Sequence, residues 1–166
     1  QVISECIKKG YEDFLMISDG EAAISVGFEN TQGYKDALQD ACRDGGTLYL
    51  QDGIKSDQVY GMLKEKVDLN RKTLIYVASP GQLQVVYQAI RNYPDHMGLF
   101  PDTLGLVGFD VEGWTRMTTP AISAIITPAY QEGVRAMEEL IDVLDGKKRD
   151  GDVVFKNIVK WRGSTL

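Results

Sequence analysis

Four short apolar runs, separated by stretches with helical spacing, constrain this chain more than any other feature. They are Phe14-Leu-Met-Ile17, Thr47-Leu-Tyr-Leu50, Thr73-Leu-Ile-Tyr-Val-Ala78 and Leu104-Gly-Leu-Val-Gly-Phe109. Runs this short and this apolar suit strands buried on both faces, as in a parallel sheet covered by helices. Between them, Tyr34, Ala37, Leu38, Ala41 and Cys42 recur at helical intervals, as do Val59, Tyr60 and Leu63, then Leu83, Val86, Tyr87 and Ile90. The β-α-β-α-β-α-β alternation predicts an α/β fold: a parallel sheet with right-handed crossovers and helices on both faces, three layers in all.

Boundary signals refine this plan. Val2, Ile3, Cys6 and Ile7 make an apolar stripe that stops at Gly10, a good helix-terminating residue. A helix is expected over 28–43, ended by Gly45-Gly46, and another from an N-capping Ser56 to Lys66. Ser79-Pro80 should cap and open a third, since proline fits the first helical turn. Beyond the fourth run, 112–120 reads as an irregular loop carrying Trp114 and Met117, and 122–127 as extended chain. Pro128 opens the strongest helix, with Tyr130, Val134, Met137, Leu140, Ile141 and Leu144 along one face. A charged turn at 147–150 leads to a last strand expected over 153–161.

All four core runs end in polar or small groups: Ser18-Asp19, Gln51-Asp52, Ala78-Ser79 and Asp110. In a parallel sheet these ends share one edge, where ligands of open α/β folds bind. That edge collects three carboxylates. Asp110 has two readings here, a charge facing a ligand crevice or a turn former that closes its strand.

With 166 residues the chain is long enough for one domain, or one large domain fragment, with a self-sufficient core. Its net charge of −6 argues against a phosphate-backbone footprint on this stretch. No apolar run approaches a membrane span. Cys6 and Cys42 fall on the apolar faces of expected helices and read as buried thiols in a reducing compartment. His96 is the single histidine and falls in an expected loop, so neither a Ser-His-Asp triad nor a usual zinc site is expected. Gly-x-Gly-x-x-Gly after a strand and the Walker A sequence are both missing from the sequence. These residues point to a binding module with no catalytic group, metal or cofactor.

Four segments carry a resemblance. Pro101 to Asp110 is similar to the "iPdDisvvGfD" segment of the LacI/GalR family of bacterial transcription regulators. Pro120 to Ile125 resembles that family's "PpLTTv" strand. Gly133, Ala136, Leu140 and Gly146 fit its "G..A...Ll..i.G" helix, and Val159 to Thr165 is similar to its terminal "lv.ReSt". The resemblance covers nearly the whole chain. It implies a periplasmic-binding-protein-like fold of type I, in which a small polar, sugar-like effector binds between two α/β subdomains preceded by a helix-turn-helix. This chain is then expected to hold the C-terminal subdomain at 10–127 and 152–166. Residues 1–9 and 128–146 would belong to an otherwise missing N-terminal subdomain, and DNA would be bound only through a region absent here.

Carried over by position, Asp110 matches the family's effector-contacting aspartate. Asn30 stands where the family usually has arginine, three residues before Gly33-Tyr34, and so lacks that fixed fork of donors. Ser79-Pro80 replaces the usual polar pair, and Asp52-Gly53-Ile54 lacks the aromatic often found near the second strand. The expected ligand set is Asp110, Asn30, Ser79, Asp19 and Asp52. A homodimer is expected through Leu83, Tyr87, Trp114 and Met117, in a cytoplasmic protein with no membrane partner. A transporter's solute-binding protein and a degenerate dimerisation-only domain are the alternatives. The wide apolar face of the helix after Pro128 is expected to be covered by the first helix, a neighbouring chain or residues outside this sequence.

Overall fold

The computed structural model describes residues 1–19, 25–110, 113–147 and 151–166. The small-residue loop after Asp19 and the charged turn at 147–150 lie wholly or partly outside these residues. The strands are β1 (Asp13–Ser18), β2 (Gly46–Tyr49), β3 (Thr73–Val77), β4 (Leu104–Phe109), β5 (Ser123–Ile126) and β6 (Ile158–Lys160). They form one sheet in the order β2-β1-β3-β4-β5-β6. The first five run parallel and β6 runs antiparallel to β5, with Ile126 opposite Ile158. The helices are α1 (Val2–Lys8), α2 (Ser25–Asp40), α3 (Ser56–Lys66), α4 (Leu83–Ile90), α5 (His96–Leu99) and α6 (Ala129–Leu144).

Alternation along each strand divides the core between the two faces of the sheet. Phe14, Met16, Leu74, Tyr76, Val107 and Ile125 meet Ile3 and Cys6 of α1 and Tyr34 and Leu38 of α2. Leu15, Ile17, Ile75, Val77 and Leu106 meet Val59 and Leu63 of α3 and Leu83, Val86 and Ile90 of α4. Two glycines in β4 let both layers approach. A Cβ at Gly105 would lie 2.4 Å from the Tyr11 hydroxyl, and one at Gly108 would lie 2.8 Å from a Leu83 methyl.

Several expectations need correction. Residues 1–9, expected with a second unit, place Ile3 and Cys6 in this sheet's own core. Cys42 is exposed: α2 ends at Asp40, and the chain then passes through a left-handed residue at Cys42 (φ 52) that breaks the helical spacing. Ser56 is the first helical residue rather than the cap. The amide before it, Lys55 N–H, is met by Gln58 Oε1 at 3.2 Å. Pro80–Gln82 form a 3-10 turn that runs into α4, and Ser79 makes no capping bond. His96 opens a one-turn helix rather than lying in a loop. The last strand contracts to Ile158–Lys160 because only those residues find partners on β5.

Helix α6 is the exception to the layered plan. It buries none of its residues. Tyr130, Val134, Met137, Leu140, Ile141 and Leu144 are all 41% or more exposed. The first helix does not cover them, since its own apolar side chains are committed to the sheet.

These environments set two expected outcomes. Leu106→Ala removes a fully buried side chain from between β4 and the α3/α4 layer, and should cost roughly 2–5 kcal/mol in urea denaturation. Leu144→Ser, at 76% exposure, should stay within about 0.5 kcal/mol of the parent; equal losses at both positions would contradict this packing. Burial pushes the Cys6 thiol up to about 12, which leaves almost no thiolate at pH 8. A thiol reagent should therefore titrate Cys42 alone in the native protein and Cys6 only after unfolding.

Candidate functional site

The parallel register brings the carboxyl ends of β1, β3, β4 and β5 to one edge, and a groove of about 600 Å³ opens there. Its floor is made by the last side chains that these strands point toward the α1/α2 face: Tyr76 of β3, Phe109 of β4 and Ile125 of β5. Gln1 to Ile3 form one wall, and Glu29, Asn30, Gly33 and Tyr34 of α2 another. Lys156, Asn157 and Val159, entering β6, close the third side. The antiparallel turn of β6 explains this last wall, since its first residue pairs with the last residue of β5.

The groove combines an aromatic floor with a rim of amides and one charge of each sign. Burial pushes the Tyr76 phenol up to about 12 and raises that of Tyr34 as well. Both are therefore neutral hydroxyls at physiological pH. Tyr34 points its hydroxyl at the Phe14 and Gly46 carbonyls, both at 3.0 Å, and so braces α2 against β1 and β2. A ring-sized ligand with an apolar face and hydroxyl or amine edges matches such a lining.

Asn30, half-buried on α2, is the one expected ligand residue that lines this groove. Ser79 and Asp19 come together beside it in the sheet order, at the ends of β3 and β1. The Asp19 N–H donates to Ser79 Oγ at 3.2 Å, so that hydroxyl bridges two strand ends. Asp52 is not brought to them. It follows the edge strand β2 and lines a separate recess of about 360 Å³ with Tyr49, Gln51 and Gln58. Three strand spacings, roughly 14 Å, separate β2 from β4.

Asp110 is 6% exposed and does not line the groove. Its Oδ1 accepts the Gly113 N–H at 2.7 Å and its Oδ2 accepts the Thr115 hydroxyl. The turn-forming reading is thus realised in the geometry, at the carboxyl edge where the ligand reading also placed it.

Among the expected dimer contacts, Leu83 is fully buried inside the chain, against Gly108, and is corrected to a core residue. Tyr87 and Trp114 are half-buried, with ring centroids 6.2 Å apart, and Met117 is 76% exposed. These three share one surface beside α4.

Sequence reasoning missed Tyr76 and Phe109 because it looked only at residues following each strand. Their alternation with Val77 and Gly108 was the available signal. Glu29, Lys156 and Asn157 carried none. Among the described residues, no group of three or more His, Cys, Asp or Glu side chains is arranged to hold a metal.

Comparison with known proteins follows the same outline. The periplasmic binding protein-like domain matches residues 3–165. The HTH-type transcriptional regulator RegA of Clostridium saccharobutylicum is 27% identical over 163 residues, covering 96% of this chain and 48% of its own length. The HTH-type transcriptional regulator KdgR of Bacillus subtilis (strain 168) is 21% identical over 153 residues, with 89% and 44% covered. The chain thus spans about half the length of the curated relatives it matches. Among solved structures, a periplasmic binding protein/LacI transcriptional regulator from Alkaliphilus metalliredigens QYMF, complexed with D-xylulofuranose, superposes with a TM-score of 0.78. It is 17% identical and covers 99% of this chain and 61% of that one.

Proposed function

Because this chain belongs to the periplasmic binding protein-like domain family, we propose that it is the effector-sensing part of a LacI-type transcriptional regulator. Its ligand is a small polar, sugar-like molecule held at the carboxyl edge of the sheet. The observation that carries this reading is the groove over Tyr76 and Phe109 with Asn30 on its rim. A sugar ring offers an apolar face to the aromatic floor and hydroxyls to the side-chain amides of Asn30 and Asn157, while the buried Asp110 fixes the strand end behind the floor. That the structural relative described above was solved with a furanose supports the same ligand class.

The regulatory output rests on the two curated relatives named as HTH-type regulators. In this proposal DNA is bound by a region outside this stretch, whose charge of −6 suits it poorly to the task. Two copies associate through the surface carrying Tyr87, Trp114 and Met117, and the protein works in the cytoplasm. Residues 128–146 pack against a second unit, which accounts for the apolar face that α6 leaves in water. Among the described residues, no helix is long and apolar enough to cross a membrane.

Titrating the chain with D-xylulose, D-ribose and D-glucose while following amide signals by NMR tests the ligand reading. Shifts should concentrate at Asn30, Gly33 and Asn157. Asn30→Ala should weaken binding by up to about tenfold, the loss of one neutral hydrogen bond. Saturating sugar that moves none of these amides in a folded chain would sink the proposal.

A further inference from the structure

One buried hydroxyl joins the carboxyl edge of the sheet to the loop beside α4. Thr115 is fully buried, and its Oγ1 meets two partners, Asp110 Oδ2 and Arg162 Nη1, the latter at 2.7 Å. A guanidinium has no acceptor, so Arg162 must donate to that oxygen. The single hydroxyl proton of Thr115 is then directed to the carboxylate. Arg162 also donates to the Ile122 carbonyl at 2.6 Å, and the Ile122 N–H returns to the Thr115 carbonyl at 2.9 Å. A closed circuit therefore fixes both ends of the 113–122 segment. On its outer side the same segment carries Trp114 against Tyr87, whose hydroxyl donates to the Thr119 carbonyl at 3.4 Å.

We infer that Thr115 is a positioning residue: its hydroxyl orients Asp110 at the ligand edge and holds the Trp114 loop to the same point. Arg162 supplies the polarity, since it fills the threonine oxygen as acceptor and leaves that hydroxyl only a donor's role toward the carboxylate. A change at Asp110 is thereby coupled to the position of Trp114. The ligand reading is not needed for this coupling, which is a property of the unliganded chain.

The test uses the full chain with Trp161→Phe, which leaves Trp114 as the only indole. Thr115→Val keeps the shape and removes the hydroxyl, Thr115→Ser keeps the hydroxyl, and Asp110→Asn replaces the acceptor pair. Amide exchange of Gly113, the donor to Asp110 Oδ1, should speed up about tenfold in Thr115→Val and in Asp110→Asn, and no further in the double variant. Acrylamide quenching of Trp114 should rise in parallel. Thr115→Ser should restore both, and the Asp110 amide, held by the Ile125 carbonyl, should keep its protection throughout. Gly113 exchange and Trp114 quenching unchanged in Thr115→Val would overturn the inference, as would additive effects in the double variant. If Thr115→Val loses protection everywhere, Asp110→Asn alone decides: protection loss confined to Gly113, with increased Trp114 quenching, supports the coupling, and unchanged values refute it. Sugars that fail to bind would remove the effector reading and leave these outcomes as they stand.

Discussion

The hydrogen bonds made by Ser164 hold together the part of the sheet on which everything else is placed. Strand β5 begins at Ser123 opposite Val107, so the preceding residue of β4, Leu106, faces that side with no strand partner. Unpaired backbone groups buried in a sheet are costly, and the chain meets the need with its tail. The Leu106 N–H donates to the Ser164 carbonyl at 3.2 Å, and the Ser164 hydroxyl donates to the Leu106 carbonyl at 2.6 Å. The same hydroxyl accepts the Ser123 N–H at 2.8 Å. One serine thus replaces a missing stretch of strand on both sides of the β4–β5 gap. Thr165 and the Arg162 backbone engage the Ser123 hydroxyl around it. The terminal Arg-x-Ser-Thr pattern therefore acts as a clamp: Ser164 and Thr165 close the start of β5, while Arg162 reaches on to the loop beyond β4.

The clamp's reach extends to the groove. Phe109 and Ile125, two of its floor residues, sit at neighbouring positions on the strands that the tail draws together. β6 enters the sheet just before the tail, so the groove wall made by Lys156 and Asn157 is anchored by the same chain segment. Packing on the opposite face fixes the floor from below, since Gly108 admits Leu83 where any side chain would hold α4 away.

The strands buried on both faces were the most legible part of the sequence. β1, β3 and β4 have apolar interiors because α1 and α2 cover one side and α3 and α4 the other, a condition that composition alone expresses. β6 was less so, since it is an edge strand with Ile158 half-exposed, and its pairing depends on β5 rather than on its own pattern. Spacing put Leu83 on the apolar stripe of its helix, where it was expected at a dimer contact; that the stripe turns inward there depends on a glycine in β4, which lets Leu83 pack inside the chain. At the site, the position of Asp110 was readable from the strand that ends there. Its partners were not: Thr115 lies in an irregular loop and Arg162 at the far end of the chain, and only the fold brings them together. Tyr76 and Phe109 were visible as core aromatics, yet the exposed ends of core strands become a groove floor only where the helix layer stops short.

That shortfall has a topological cause. After Ile126 the chain leaves the sheet at its carboxyl edge through Thr127 and Pro128, forms α6, and returns through 151–157 to start β6 opposite Ile126. Outgoing and returning segments therefore lie side by side at the mouth of the groove, and the returning one supplies two of its lining residues. A helix connecting β5 to β6 by folding back over the sheet would fill the space above Phe109 and Ile125; α6 instead carries its apolar face away from these strands. The open groove and the uncovered helix are two consequences of one chain path.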